Sequence, residues 1–212
     1  MLRVDERYVC LYVADVSGQG VSAALLSVTV ARSLSLRTNP SSLVTELDES
    51  GKVIAVEPSV VAGRLNATYP MNDDTRQYFT LVYGVLDTQT GLFRFVCAGH
   101  PGPIRVRPDG TVDVFDAPSF PIGMMPNSVY TDATIEMAPG DRLYLYSDGV
   151  TDEANAAGAT FGRNKLCTAL VDARRLSLDQ SVHASGQAVA LWRGHHRVSD
   201  DFTILAAELG KE

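Results

Sequence analysis

Three acidic positions far apart in the chain share one local setting, and that setting suits oxygen-ligand chemistry. Asp15 follows the apolar run Tyr8 to Ala14 and is itself followed by Val16-Ser17-Gly18-Gln19-Gly20. Asp148 ends the run Arg142 to Ser147 and precedes Gly149, and Asp200-Asp201 stand immediately ahead of the run that begins at Phe202. A strand-end carboxylate beside a turn that bares backbone groups is a good place to hold a cation. In a layered antiparallel sheet, strand ends from distant parts of the chain can meet at one edge. Carboxylates gathered there repel one another unless a divalent cation sits among them. Hard oxygen donors of this kind suit Mg²⁺ or Mn²⁺. Taken singly, each Asp is more commonly a turn residue satisfying loop amides than a ligand.

The elements that must position these residues are legible as runs and breaks. Tyr8 to Ala14, nearly continuous in apolar, β-branched and aromatic residues, reads as a buried strand. Val21, Ala24, Leu25, Val28 and Ala31 recur at helical spacing, which predicts a helix to about Arg37, stopping near Asn39-Pro40. Asn39 then caps a second short helix with Leu43, Val44 and Leu47 as its buried side, and Ser50-Gly51 breaks it. Pro58 opens a third helix through Val60, Val61 and Leu65, and residues 66–77 form a polar connection. From there the texture changes to strands. Phe79 to Asp87 and Leu92 to Ala98 flank Thr88-Gln89-Thr90-Gly91; Ile104 to Val106 and Val112 to Phe115 flank Pro108-Asp109-Gly110. Tyr130 to Met137 alternates, and Arg142 to Ser147 is a further strand. Helices over about 163–174 and 179–192 precede a last strand, Phe202 to Ala207. Hairpins in the middle with helices grouped before and after them predict an α+β layered domain.

Bulk properties narrow the classes. With 212 residues, 45% of them hydrophobic, the chain can bury one sizeable core, and no repeat or linker argues for a second domain, so residues 1–212 read as one. A formal net charge of -7 without a Lys/Arg-rich run excludes a nucleic-acid groove. The charged start, Met1-Leu2-Arg3-Val4-Asp5-Glu6-Arg7, and the absence of a long apolar run predict a cytoplasmic protein without membrane insertion. Cys10, Cys97 and Cys167 are few, odd in number and scattered, which predicts buried free thiols.

Four ordered blocks resemble a known family. Asp15-Val16-Ser17-Gly18-Gln19-Gly20-Val21-Ser22-Ala23-Ala24 is similar to the DxSGHG-xxAA motif of the metal-dependent protein phosphatases, the protein phosphatase 2C-like family, in its bacterial SpoIIE-type subgroup. Phe79 to Asp87 resembles that subgroup's central strand, and Ala98-Gly99-His100-Pro101 stands where it carries AGHPP. Gly140-Asp141-Arg142 to Ser147-Asp148-Gly149-Val150-Thr151-Asp152, with Phe161-Gly162 after it, resembles the GDxLxxxTDGxxE block. Ser199-Asp200-Asp201-Phe202-Thr203 resembles the closing DDxT motif. Gln19 for His, Asp152 for Glu and Ser147 for Thr are mild departures that keep polarity.

The resemblance implies a four-layer α-β-β-α sandwich of two antiparallel sheets with a two-metal centre at one edge. It implies that Asp15 bridges two Mn²⁺ or Mg²⁺ ions, that the Val16 carbonyl completes one shell, and that Asp148 and Asp200 serve the other ion. Two such ions roughly 3.5–4 Å apart activate a water for in-line attack on phosphorus, so no side-chain nucleophile is needed. The implied substrate is a phosphoserine or phosphothreonine protein, typically an anti-anti-sigma-factor-type regulator in bacterial partner switching. The family's earlier strand, with its Gly-Asp-aromatic motif, is expected to be missing here, since Met1 lies only a few residues ahead of Tyr8. An uncovered edge of that kind invites homodimerisation and favours an alternative class, a phosphatase-like binding module without turnover. His100 reads as a structural hydrogen-bonding residue, and His195-His196 and Asn72-Asp73-Asp74 read as solvated loop.

Overall fold

The computed structural model describes residues 1–35, 42–71, 76–196 and 200–210. In chain order its elements begin with β1 (Leu2–Arg3), β2 (Tyr8–Val16), α1 (Val21–Ser33), β3 (Thr45–Leu47), β4 (Val53–Ala55) and α2 (Pro58–Thr68). Then come β5 (Phe79–Asp87), β6 (Leu92–Ala98), β7 (Ile104–Val106), β8 (Val112–Val114), β9 (Ala133–Glu136) and β10 (Arg142–Tyr146). The last are α3 (Gly149–Asp152), α4 (Gly162–Asp172), α5 (Leu178–Arg193) and β11 (Ile204–Glu208). They divide into two compact units: Met1–His100 with Ala117–Met137, and Pro101–Asp116 with Ala138–Glu212.

The first unit is a five-stranded sheet in the order β1-β2-β5-β6-β9, every neighbour antiparallel. The β5–β6 pair is the hairpin expected over residues 88–91, closed by Gly91 N–H donating to the Asp87 carbonyl at 2.9 Å. Because side chains alternate across a strand, Cys10 of β2 and Phe79, Leu81 and Tyr83 of β5 share one face. On that face they pack with Val30 and Leu34 at the end of α1 and with Val61, Ala62 and Leu65 of α2. The same alternation sends Leu11, Val13 and Asp15 to the face away from these helices. A strand of two residues, β1, pairs Leu2 with Cys10 and Arg3 with Val9, where the sequence reading places none.

Two expectations in this unit are corrected. Residues 45–47 are not the buried side of a helix but a strand paired with β4, with Leu47 opposite Val53. The Asp48 carboxylate closes the intervening turn, accepting from the Ser50 and Lys52 N–H groups at 2.8 and 2.9 Å. This turn is what Ser50-Gly51 marks; the Asn39-Pro40 helix start lies outside the described residues. The second correction concerns α1, which turns Ala23, Val30 and the following Leu34 inward, while Val21, Leu25 and Val28 are 78%, 64% and 59% exposed. The expected apolar stripe therefore faces solvent, and a second stripe, offset by about half a turn, holds the helix to the sheet.

The second unit is a four-stranded antiparallel sheet in the order β11-β10-β7-β8. All five residues of β10 are buried. Tyr144 and Tyr146 pack with Ile104, Val106, Leu166, Leu170 and Val189, so α4 and α5 cover one face. Burying each large apolar side chain of this cluster contributes about 1.5–3 kcal/mol. The helix α5 starts at a capping box, in which Gln180 N–H donates to Ser177 Oγ at 3.3 Å and Ser177 N–H to Gln180 Oε1 at 3.2 Å. Each unit is thus a helix layer on an antiparallel sheet, the half that a four-layer sandwich requires. The three cysteines are free thiols, with Cys10 and Cys97 buried.

Candidate metal centre

In the first unit, Asp15 and Val16 are the last two residues of β2, opposite Thr80 and Phe79 of β5. The ladder continues into the turn, where Ser17 N–H donates to the Tyr78 carbonyl at 2.9 Å and Tyr78 N–H donates to Ser17 Oγ at 2.9 Å. The chain then reverses through Gly18 and Gly20 at φ of +87° and +88°. Gly20 combines this φ with ψ of -165°, a region open essentially to glycine alone. The pairing and the glycines together fix where the strand ends, and with it the Asp15 carboxylate and the Val16 carbonyl, both half-buried.

In the second unit, Asp148 follows β10 and caps the four-residue helix α3, its carbonyl accepting from the Thr151 and Asp152 N–H groups at 2.8 Å each. Asp200 and Asp201 arrive from the other direction, ahead of β11. Ser147 joins the two segments: its N–H donates to the Thr203 carbonyl at 3.1 Å, and Thr203 N–H donates to its Oγ at 2.9 Å. Gly149 makes the approach sterically allowed, because a Cβ there would lie 2.4 Å from the Asp201 carbonyl oxygen and 3.5 Å from Asp200 Cβ. As a result, carboxylate oxygens of Asp148 and Asp200 come within 4.8 Å of each other.

The electrostatics of this pair point to a cation. Asp148 Oδ1 is buried and has no hydrogen-bond partner among the described residues. Leaving a buried carboxylate oxygen without a donor costs more than leaving a neutral group so, and a second carboxylate nearby adds to that cost. One Asp200 oxygen accepts from the Asp201 N–H at 2.8 Å, and Asp200 itself is exposed. The donors are all hard oxygens, so this arrangement fits a divalent cation of the Mg²⁺ or Mn²⁺ type. Asp201 contributes its main chain to the packing against Gly149 and Ser147.

The other conspicuous residues sort as their chemistry suggests. His100 is buried and shares a 2.7 Å hydrogen bond with Thr80 through Nδ1. His195 and His196 are exposed, as a solvated loop requires. Residues 72–74 and Ser199 lie outside the described residues. Sequence reasoning assigned no role to Thr80 or Ser147. Thr80 faces Asp15 only through a register between strands some 60 positions apart, which no local spacing reveals. Ser147 carried a local sign, a hydroxyl between a buried strand and Asp-Gly.

A family model described as Stage II sporulation protein E (SpoIIE) matches residues 5–210. The chain belongs to the SpoIIE family. Among curated relatives, phosphoserine phosphatase RsbP of Bacillus subtilis is 27% identical over 154 residues, covering 71% of this chain and 35% of RsbP. Phosphoserine phosphatase RsbU of the same organism is 25% identical over 202 residues, covering 95% of this chain and 56% of RsbU. The chain thus spans about a third of one relative and just over half of the other. Among solved structures, the SiaA-PP2C domain of Pseudomonas aeruginosa matches with a TM-score of 0.74 at 22% identity, covering 95% of this chain and 79% of that one. The fold is therefore that of a PP2C domain, as the motif blocks implied.

Proposed function

We propose that this chain is the catalytic domain of a divalent-metal-dependent protein serine/threonine phosphatase, with residues 1–212 acting as one functional domain. The observation that carries the reading is the buried, donorless Asp148 Oδ1 with the Asp200 carboxylate beside it. Asp15 and the Val16 carbonyl join Asp148 and Asp200 as the ligands of Mn²⁺ or Mg²⁺ in this proposal, two ions in all. Bound there, such ions lower the pKa of water and neutralise charge on phosphoryl oxygens. The chain's own residues supply position: Ser147 and Gly149 hold Asp200 against Asp148, and the Ser17–Tyr78 pairing with Gly18 and Gly20 holds Asp15 at the strand end. Cys10 and Cys97 are buried, and Cys167 lies on α4 among packed side chains, which supports a route without a thiol nucleophile.

The substrate in this reading is a phosphorylated regulator of the anti-anti-sigma-factor type, dephosphorylated in the cytoplasm as part of partner switching. The names of RsbP and RsbU as phosphoserine phosphatases support the phosphoserine part of this reading. No described helix is long and apolar enough to cross a membrane. The test is hydrolysis of p-nitrophenyl phosphate and of a phosphoserine protein, with and without Mn²⁺. Activity should require Mn²⁺ and should fall in Asp15→Ala and Asp148→Ala by more than the roughly 10–100-fold that an outer-shell change costs. Activity that survives chelation overturns the metal reading. A protein that shows no tight Mn²⁺ site and binds the phosphorylated regulator without hydrolysing it is instead a binding module.

A further inference from the structure

Thr80 and His100 belong to two motif blocks for which the metal reading has no use, yet the fold pairs Thr80 with Asp15 and bonds His100 to Thr80. Asp15 and Thr80 are direct partners in the β2–β5 ladder. Directly opposed residues of an antiparallel pair project to the same face with Cβ atoms about 4.5–5.5 Å apart. Thr80 Oγ1 lies 2.7 Å from His100 Nδ1. His100 is in turn held by a clamped turn at the end of β6. Gly99 adopts φ of +66° and its N–H donates to the Ser119 carbonyl at 2.9 Å. Pro121 packs so closely that a Cβ on Gly99 would lie 2.4 Å from its ring. A ring buried and fixed in this way, on a hydroxyl in register with a proposed ligand, is a built arrangement.

We propose that His100, acting through Thr80, is a positioning residue for the Asp15 carboxylate. The polarity follows from the donor inventory. A carboxylate only accepts, and a threonine hydroxyl carries one proton. Thr80 gives that proton to Asp15 when His100 presents Nδ1–H to its oxygen; a ring protonated at Nε2 alone would take the proton for itself. His100 therefore stands in the Nδ1–H tautomer, and the chain of bonds runs from imidazole to hydroxyl to carboxylate. Partners of this kind fix the orientation of a ligand and raise its hold on a metal.

The inference rests on the metal reading, and the experiment separates the two. Mn²⁺ binding is measured by calorimetry on the full chain and on Thr80→Val, Thr80→Ser and Asp148→Asn, at a temperature where each keeps a native near-UV circular dichroism spectrum. In parallel, ¹⁵N NMR of histidine-labelled, metal-free protein reads the His100 ring, assigned with His100→Gln. Thr80→Val should weaken Mn²⁺ binding about tenfold, Thr80→Ser should restore it, and the His100 ring should be protonated at Nδ1. Wild-type affinity in Thr80→Val, with binding lost in Asp148→Asn, overturns the positioning role and leaves the metal site standing. No Mn²⁺ binding by the wild type overturns the metal site and the inference together. A ring protonated only at Nε2 overturns the proposed polarity whether or not any variant folds.

Discussion

At the scale of single residues, the chain places two carboxylates in opposite circumstances. Asp148 has a buried oxygen with no donor among the described residues, whereas both oxygens of Asp87 have donors. Arg7 grips Asp87 through Nε and a terminal nitrogen at 2.9 and 2.6 Å, and the Gln89 and Thr90 N–H groups donate to Oδ1 at 3.0 and 3.3 Å. Those donors, Arg7 foremost, hold the Asp87 carboxyl far below the usual carboxylate range. A depressed native pKa contributes stability that is present above the unfolded value, near pH 4, and is lost as pH falls toward the native one. Asp87→Asn should therefore lower Tm by a few degrees at neutral pH, and its Tm should decline less than the wild type's below about pH 4. Thermal melts from pH 7 to 2 check this. Asp148→Asn should act in the reverse direction. Removing the charge relieves desolvation and the repulsion from Asp200, so the metal-free protein should gain about 2–4 °C, the shift that ~1 kcal/mol makes in a chain of this size. A melt in chelator measures the gain, and the same variant should lose its Mn²⁺ response.

At the scale of elements, close approach rather than propensity decides where the second-unit carboxylates meet. Gly149 is the test position, since a methyl group there collides with the Asp201 main chain. Gly149→Ala should cost on the order of 1–3 kcal/mol by forced displacement and should weaken Mn²⁺ binding, measured by denaturant titration and calorimetry on the same sample. What was legible in the sequence followed the same division between local and distant. The β5–β6 hairpin, the strand β10 and the helix α5 are written locally, in Thr88-Gln89-Thr90-Gly91, in a run buried at every position, and in the Ser177 cap three residues ahead of Gln180. Asp15, Asp148 and Asp200 were visible because each sits at such a boundary. Residues 45–47 misled because a three-residue strand has too few positions to establish a period, and its partner β4 lies beyond a turn made by Asp48. The α1 face misled for a different reason: Ala23, Val30 and Leu34 repeat as well as Val21, Leu25 and Val28 do, and only the position of the sheet decides between them. Thr80 was beyond reach because a register is a property of two strands.

At the scale of the whole molecule, the thiols report on the integrity of the fold. Burial pushes the Cys10 thiol up from its ordinary value despite a 3.2 Å bond from the Tyr83 hydroxyl, and burial does the same to Cys167. Cys10 and Cys97 lie in the first unit and Cys167 in the second, so labelling by a thiol reagent, followed by mass spectrometry under rising denaturant, reads the two units separately. Native protein should leave Cys10 and Cys97 unlabelled, and their modification should track the loss of near-UV circular dichroism. The two stripes of α1 carry a different consequence, one of tolerance. On a single helix, positions 23, 30 and 34 are buried, while positions 21, 25 and 28 are exposed. Single substitutions on the exposed stripe should change stability by no more than the roughly ±0.5 kcal/mol typical of surface sites. Folding stability therefore constrains the two sides of the helix that follows Gly20 unequally, tightly along the buried stripe and loosely a half turn away.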